Sequence, residues 1–431
     1  MTQAMTLAAN HDAATTAELD ARAKAILRGN DRGGYTVPTE GLYPYQWNWD
    51  SAFAAWGFAA FDLDRAWVEL ETLFSGQWAN GMVPHILFHR EDAGYFPGPD
   101  VWGAGETIPS SGISQPPVAA TMARAIFERD PQAGAPRMAP LYDKLLAWHR
   151  WFYQHRCESG ACCITHPWES GRDNAPDWDG ALKGIDTSNV GPYTRRDTSH
   201  VNPDMRPTKR DYDCYITLVQ FGRACDWDEA EILANSPFRV ADPTMTFILL
   251  RAHRDLKWLG TTLGHDTTEI DGWIAELEAG VESLWNDDVG VYDARDLRSG
   301  ELAGSPSNAS FLCWYAGVSS PKTEARLARI LSKVTYGVPS YDPEGPLFDH
   351  MRYWRGPVWG MMNTMIGMGL ADAGLTDLAT QVRDDTAALI ADHGFAEYFS
   401  PLDGTPAGGG TFTWTAAVWL GWASPSAQKG A

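Results

Sequence analysis

Apolar residues recur at helical spacing along most of the chain. In residues 245–259 they fall at positions i, i+3, i+4, i+7, i+11 and i+14, and Asp242 and Pro243 precede them as N-cap and first helical residue. The same periodicity predicts helices over 15–28, 50–61, 63–79, 116–128, 138–155, 211–224, 270–284, 321–334, 358–371, 376–390 and 413–422. Alternation typical of strands is short, chiefly in Ala161–Thr165 and Val291–Asp293. No series of βαβ units appears, which argues against a doubly wound sheet or a parallel-stranded barrel.

Long connections rich in glycine, proline and aromatic residues separate these helices. They comprise residues 91–115, 158–207, 336–357 and 392–411. Connections of this length inside a compact domain usually carry function. No Ser/Gly linker or change of composition marks a boundary, so we predict one domain over residues 1–431, with a loop-rich insertion around 158–207. Antiparallel helix pairs that close into a toroid would bring alternate loops to one end and form a single pocket there.

The charge of the chain excludes several classes of partner. With 34 Lys and Arg against 55 Asp and Glu, the formal net charge is −21. Nucleic-acid binding and docking on anionic membranes both need a basic face, which this composition does not offer. The longest apolar stretches, Ala52–Phe61 and Val358–Leu370, are too short or too interrupted to span a bilayer.

Targeting and cysteine patterns suggest a compartment. Residues 1–20 show neither a basic n-region nor an apolar h-region, so no signal peptide is visible. The six cysteines form no CxxC motif or regular framework, which favours free buried thiols. We therefore expect a cytoplasmic protein, and a homo-oligomer is compatible with the sequence.

One loop concentrates carboxylates. Residues 168–179 contain Trp168, Trp178 and four acids: Glu169, Asp173, Asp177 and Asp179. Crowding of like charges beside aromatic walls raises the pKa of at least one carboxyl, which is what a general acid needs. A calcium loop is a second interpretation, although the glutamate that an EF-hand requires is missing. A solvated acidic turn is a third, and spacing alone leaves all three open.

A further carboxylate, Glu397, lies far away in the chain. It is flanked by apolar and aromatic residues in Gly394–Phe399 and precedes the glycine-rich turn 408–410. By itself such a glutamate is usually a salt-bridge partner or a helix cap. Its interest comes from Asp173, a candidate partner carboxylate for acid–base chemistry.

Two aromatic loops suit a carbohydrate. Residues 43–50 and 353–359 interleave Trp and Tyr rings with Asp, Asn, Gln and Arg. Sugars present a CH face and a rim of hydroxyl groups, so rings beside hydrogen-bonding groups match them. The alternative is that tryptophan, which occurs 20 times, fills the core, and we prefer this for Trp273 and Trp285.

The common nucleotide and metal motifs are missing. The sequence contains no GxxxxGK[ST], no strand-led GxGxxG and no HExxH. His85 and His89 are four residues apart, but Pro84 interrupts that segment, so ordinary packing is favoured over a metal site. We expect no metal and no other cofactor.

Taken together, five stretches resemble glycoside hydrolase family 63, in particular its mannosylglycerate and glucosylglycerate hydrolases. They are YPYQWNWDSAF from Tyr43, NGMVPH from Asn80, ESGRDNAPDWD from Glu169, YWRGPVWG from Tyr353, and EYFSP with GGGTFTWTAA from Glu397. The resemblance implies an all-α (α/α)6 toroid with long active-site loops, and inverting hydrolysis of a small α-glucoside or α-mannoside. It also implies that Asp173 is the general acid and Glu397 the general base.

The resemblance assigns further residues to substrate binding. Those of the sugar pocket are Tyr43, Trp47, Trp49, Asp50, His85, Gln115, Tyr353, Trp354, Trp359 and Trp414. Tyr95 lies in a loop similar to a mobile lid. In glycerate hydrolases an Arg and a Tyr hold the glycerate carboxylate, and Arg206 and Tyr212 have fitting spacing, with Lys209 and Arg210 as further cations.

Alternative functions and substrates stay open at this point. A sugar epimerase on the same toroid would use histidine chemistry, and a noncatalytic glycan-binding protein would need the tryptophan loops only. Neither accounts for Asp173 and Glu397 together. A neutral aglycone also stays open, because a net charge of −21 disfavours an anionic substrate unless local cations face the pocket.

Overall fold

A computed structural model describes residues 13–318 and 320–429. Helices dominate it, and in chain order they are α1 (Ala13–Asn30), α2 (Asn48–Phe58), α3 (Leu63–Ser75), α4 (Pro99–Trp102), α5 (Ala119–Phe127), α6 (Pro131–His155), α7 (Asp179–Leu182), α8 (Asp197–His200), α9 (Lys209–Ala224), α10 (Glu229–Asn235), α11 (Pro243–Leu263), α12 (Thr268–Gly280), α13 (Pro321–Leu331), α14 (Gly360–Asp372), α15 (Thr376–His393) and α16 (Thr413–Val418).

Six helical segments pack side by side as a closed inner ring. In order around the ring they are α2, α5, α11, the 3₁₀ segment Asn308–Cys313, α14 and α16, and α16 packs against α2 to close it. Helices enclosed on all sides are expected to be apolar or small-residue-rich all round. This holds for α2 and for most of α14, where Gly369 allows the backbone of Tyr315 to approach closely.

A second layer of helices surrounds the ring. Helices α3, α6, α12, α13 and α15 each follow one inner segment in the chain and pack against it, and α1 packs against α16. The inner-to-outer connections are short, as in residues 59–62, 128–130, 264–267 and 373–375. The outer-to-inner connections are long, and they are 31–47, 76–118, 156–242, 281–307, 332–359 and 394–412. This arrangement is an (α/α)6 toroid, which confirms the predicted fold class.

Capping explains why α11 begins and ends where it does. The Asp242 carboxylate accepts hydrogen bonds from the backbone amides of Thr244 and Met245, and Pro243 occupies the first helical position. Gly264 follows in a left-handed conformation with φ 80°, which terminates the helix. The start predicted from the sequence is therefore confirmed.

Two parts of the toroid differ from the prediction. Helix α6 begins at Pro131 rather than near residue 138, because Pro136 and Pro140 are accommodated within it. The Asn308–Cys313 segment is not predicted as a helix, since it is too short to show a helical period. The predicted helix 211–224 exists as α9 but lies within the long connection 156–242.

The strands are short and lie in the connections. They are β1 (Gln46–Trp47), β2 (Ile86–Leu87), β3 (Cys157–Glu158), β4 (Ala161–Ile164), β5 (Val240–Ala241), β6 (Trp285–Asn286), β7 (Val291–Tyr292), β8 (Arg295–Asp296), β9 (Tyr398–Phe399) and β10 (Pro406–Ala407). Antiparallel pairing gives one four-stranded sheet, β3-β4-β5-β8, and three two-stranded ladders, β1-β2, β6-β7 and β9-β10.

One large hydrophobic cluster extends from Leu19 to Ala423 and includes residues of every inner segment. This continuity supports the single-domain interpretation, which stays a prediction. Among the described residues, no helix has the length and apolar character needed to cross a membrane.

Candidate active site

A pocket opens at the end of the toroid where the inner helices begin. Its lining comes from the long connections that precede α2, α5, α11, α14 and α16 and from the first turns of α2 and α16. The pocket and its mouth contain about 830 Å³ of empty space.

Most of the residues predicted from the sequence line this pocket. They are Tyr43, Trp47, Trp49, Asp50, His85, Tyr95, Gln115, Asp173, Arg206, Tyr212, Tyr353, Trp359, Glu397 and Trp414. Trp354 does not line it. The Trp354 ring lies behind Trp359 and stacks on it at 3.9 Å between ring centroids and 4° between planes, so it supports the wall from within the core.

Three of the four acids in the loop 168–179 have structural partners. Glu169 accepts from the Arg156 guanidinium at 3.0 Å. Asp177 receives two hydrogen bonds from the buried Arg172, at 3.2 and 3.1 Å, and two more from serine hydroxyls. Asp179 pairs with Arg355 at 3.0 Å. These bonds explain why so many charges are tolerated inside the protein.

Asp173 is the exception in this loop. Among the described residues, no other side chain donates a hydrogen bond to its carboxylate, although its backbone carbonyl accepts from the Tyr215 hydroxyl at 2.8 Å. Burial raises the pKa of Asp173 to about 7; Arg206 opposes this increase and the negative charge of Glu397 adds to it. A carboxyl group that is protonated near neutral pH and faces a pocket can donate a proton there.

Glu397 lies in a hydrogen-bond network on the β9 side of the pocket. Its Oε1 accepts from the hydroxyls of Tyr43 at 3.0 Å and Tyr353 at 3.2 Å, and its Oε2 is 3.4 Å from Nη1 of Arg206. Burial raises the pKa of Glu397, while Arg206 and the two tyrosines oppose that rise. A Cβ atom at Gly408 would lie 2.1 Å from Oε2, so the glycine turn seen in the sequence leaves room for this carboxylate.

Tyr353 adopts an uncommon backbone conformation beside Glu397. Its φ is 45°, a left-handed value that costs a non-glycine residue about 1 kcal/mol or more. The indole Nε1 of Trp359 donates to its carbonyl at 3.1 Å, and its hydroxyl reaches Glu397. The surrounding contacts thus hold a strained residue in place at the pocket.

Two further pocket residues have buried polar atoms without protein partners. Oδ1 of Asp50 and Nδ1 of His85 accept or donate no hydrogen bond among the described residues. Burial, and then the charge of Glu397, raise the pKa of Asp50 well above its ordinary value. Burial lowers the pKa of His85 well below its ordinary value, so the ring is neutral. Buried polar atoms are normally satisfied by a partner, so two such atoms in residues that line the pocket are unusual.

Arg206 enters the pocket, whereas Lys209 and Arg210 do not. Its Nη2 donates to the Tyr43 hydroxyl at 2.7 Å, and its guanidinium lies 3.9 Å from the centre of the Tyr353 ring. Lys209 is exposed and pairs with Asp213, and Arg210 donates to Thr187 and to backbone carbonyls. One of the three cations proposed from the sequence therefore faces the pocket.

The pocket contains residues that sequence analysis does not identify. They are Pro38, Leu42, Ile86, Phe96, Pro97, Trp168, Gly171, Arg196, Asp197, Pro207 and Phe412. Asp197 bonds to Arg206, and Arg196 pairs with Asp92 of the Tyr95 loop at 3.1 Å. The Arg195-Arg196-Asp197 run inside a long loop is the available signal, but its spacing matches no motif.

Where the structure describes them, neither the histidines nor the acids form a metal site. Nε2 of His89 bonds to Gln46 at 2.6 Å, and His85 packs among aromatic rings. Within residues 13–318 and 320–429, no group of three or more His, Cys, Asp or Glu side chains is arranged to hold a metal ion.

An (α/α)6 toroid with two carboxyl groups of raised pKa in one aromatic pocket has the features of a glycoside hydrolase. Comparison with known proteins also identifies a glycoside hydrolase. Residues 43–415 match the mannosylglycerate hydrolase MGH1-like glycoside hydrolase domain. The chain belongs to this family.

Similar proteins extend over almost the whole chain. The crystal structure of the GH63 mannosylglycerate hydrolase from Thermus thermophilus in complex with Tris has a TM-score of 0.91 and 45% identity, covering 94% of this chain and 99% of that one. The mannosylglycerate hydrolase MGH2 of Selaginella moellendorffii is 45% identical over 93% of this chain and 84% of its own. The glucosylglycerate hydrolase of Mycolicibacterium hassiacum is 33% identical over 95% and 98%.

Proposed function

We propose that this enzyme hydrolyses mannosylglycerate or glucosylglycerate with inversion at the anomeric carbon. The observation that carries the proposal is the pair Asp173 and Glu397, which face one pocket and influence each other electrostatically. The names of the similar proteins supply the substrate class.

In this mechanism Asp173 is the general acid and Glu397 the general base. Protonated Asp173 donates its proton to the glycosidic oxygen, and Glu397 deprotonates a water that attacks the opposite face of the sugar. Inversion requires the two carboxyl groups to be about 6.5–9.5 Å apart, which leaves room for that water. Because the pKa of Asp173 is about 7, kcat/KM should fall as the pH rises above this value.

The sugar would occupy the part of the pocket around Asp50 and His85. Both residues line the pocket, and carboxyl and imidazole groups can form hydrogen bonds with hydroxyl groups. Trp47 and Trp49 supply flat apolar surfaces on the same side. The arrangement suits a hexopyranose and does not by itself distinguish glucose from mannose.

The aglycone would lie near Arg206, Tyr212 and Tyr95. Arg206 is a buried cation with its Nη atoms turned into the pocket, and a glycerate carboxylate can accept from such a group. The positive charge of Arg206 can attract an anionic aglycone despite the net charge of −21, since charges on the far surface are screened beyond about 8 Å.

A hydrolysis panel tests the proposal. Mannosylglycerate, glucosylglycerate, glucosylglycerol and α-linked disaccharides are incubated with the enzyme, and NMR identifies the first-formed anomer. We expect the two glycerate glycosides to be cleaved fastest, with release of the β-anomer. Preferential cleavage of a neutral glycoside would overturn the proposed aglycone, and release of the α-anomer would overturn the proposed acid–base pair.

A cytoplasmic location is part of the proposal. All six cysteines are free thiols, four of them buried, as is usual for proteins of a reducing compartment. Assembly with further copies of the chain stays a prediction.

A further inference from the structure

Residues 195–207 form a loop that is closed on itself by side chains. Nη1 of Arg195 donates to the backbone carbonyl of Pro207 at 2.7 Å, which joins the two ends of the loop. The Arg195 guanidinium also lies 4.0 Å from the centre of the Tyr212 ring. The loop is therefore attached both to itself and to helix α9.

The carboxylate of Asp197 lies between two guanidinium groups inside this loop. Its Oδ1 and Oδ2 accept from Nε and Nη2 of Arg195 at 3.0 and 2.6 Å. Oδ2 also accepts from Nε of Arg206 at 3.0 Å. Burial raises the pKa of Asp197, but Arg206 and Arg195 outweigh it and keep the pKa below its ordinary value. Asp197 is therefore an anion that both arginines share.

This contact determines which edge of Arg206 faces the pocket. Asp197 occupies the Nε atom, and the Tyr353 ring covers one face of the guanidinium. The Nη1 and Nη2 atoms are left to point toward Glu397 and Tyr43. An arginine side chain without such a contact samples several rotamers, and ordering it costs conformational entropy.

We propose that Asp197 is a positioning residue for the aglycone arginine. It holds Arg206 with its Nη edge in the pocket before the substrate arrives, so that an anionic aglycone meets a preorganised cation. The inference rests on the proposed function, because it requires a substrate whose aglycone carries a carboxylate.

The test compares Asp197→Asn with the wild-type enzyme on a charged and a neutral substrate. The charged substrate is the glycerate glycoside, and the neutral one is the glycerol glycoside of the same sugar. We expect KM for the glycerate glycoside to rise about tenfold with a smaller change in kcat, because a charge-assisted contact that orders Arg206 is weakened. KM for the glycerol glycoside should stay within about twofold of wild type, since only a carboxylate needs the ordered cation.

Asp204→Asn is the matched control. Asp204 lies on the same loop, is exposed, and its carboxylate contacts no other side chain among the described residues. We expect wild-type KM values for both substrates. Asp197→Glu keeps the charge on a longer side chain, and it should restore part of the affinity for the glycerate glycoside.

A double variant shows whether Asp197 acts through Arg206. In an Arg206→Gln background, adding Asp197→Asn should leave KM for the glycerate glycoside unchanged, because the group being positioned is already gone. Equal losses on the charged and neutral substrates, or a further loss in this background, would overturn the inference.

The two proposals fail in different ways. A wild-type enzyme that does not cleave the glycerate glycosides refutes the proposed function and, with it, this inference. A wild-type enzyme that cleaves them, with an Asp197→Asn variant of unchanged KM, refutes the inference alone. Thermal unfolding of each variant verifies that the comparison concerns folded protein.

Discussion

Two charged segments border the pocket, and they use their charges in the same way. The acidic segment, residues 168–179, contributes four carboxylates, and the basic segment, residues 195–210, contributes several arginines and a lysine. In each segment most charged groups pair with partners that hold the loop. Asp173 of the acidic segment lines the pocket, and so does Arg206 of the basic segment, together with Arg196 and Asp197, which are paired with other side chains.

Asp173 and Arg206 differ in how they are held. Among the described residues, Asp173 has no side-chain partner, so burial dominates and its pKa rises to about 7. Arg206 has Asp197 behind it and stays charged at every physiological pH. Burial without a side-chain hydrogen-bonding partner, in the part of the chain that the structure describes, keeps the pKa of Asp173 high, which suits a proton donor. The Asp197 carboxylate keeps Arg206 oriented, which suits a group that binds an anion.

The largest expected effect comes from Asp173→Asn. The amide cannot donate an acidic proton, so kcat on the glycerate glycoside should fall about 10²–10⁴-fold. Sugar binding, measured by calorimetry with the substrate, should persist because the shape of the side chain is kept.

Asp177→Asn is the matched control in the same segment. Asp177 is bonded to Arg172 and to two serines, so its replacement should lower the thermal midpoint by several degrees and reduce kcat far less. If Asp177→Asn abolished turnover as Asp173→Asn does, the proposed division of labour within the acidic segment would be wrong.

An intermediate effect is expected from Arg206→Gln. Loss of the cation should raise KM for the glycerate glycoside about 10–100-fold, since hydrogen bonds to charged groups contribute about 1.5–3 kcal/mol. Steady-state kinetics with Arg210→Gln provides the comparison. Arg210 is turned away from the pocket, so its variant should keep the wild-type KM. Similar KM values for the two variants would remove Arg206 from substrate binding.

The smallest effect concerns stability and pH. The pKa of Asp173 is about 7 in the folded protein and about 3.9 in an unfolded chain, so the folded protein holds its proton more tightly. This contribution to stability is complete below about pH 4 and is lost as the pH rises through about 7. The amide introduced by Asp173→Asn cannot ionise, so the thermal midpoint of this variant should exceed that of wild type by on the order of 1–3 °C at pH 8. The difference should vanish near pH 4.

The helices and their pairing are largely predictable. Periodic apolar positions locate eleven of the toroid segments, as with the stripe of α11 that starts after Asp242. The Asn308–Cys313 segment is not predictable from the sequence, because a 3₁₀ stretch of six buried residues shows neither a helical period nor a polar face. Ring closure is a contact between α2 and α16, which no local pattern encodes.

The site is predictable where a residue belongs to a distinctive motif. Asp173 and Glu397 lie in such motifs, and both face the pocket. Asp197 is not predictable, because its contacts with Arg195 and Arg206 form only when the loop closes. Trp354 is not among the residues that line the pocket, and its stacking on Trp359 could not be read from the sequence.

The packing of α1 against α16 affects how the chain folds while it is being synthesised. The Asn30 side chain donates to Thr411 and Thr413, and the Thr413 amide donates to the carbonyl of Pro38. These contacts join residues that leave the ribosome almost a whole chain apart, which slows folding relative to local pairing. Glu397 lies on the same late segment. A nascent chain thus carries Asp173 without Glu397, and the pocket that both line is complete only once translation has delivered the segment that closes the ring.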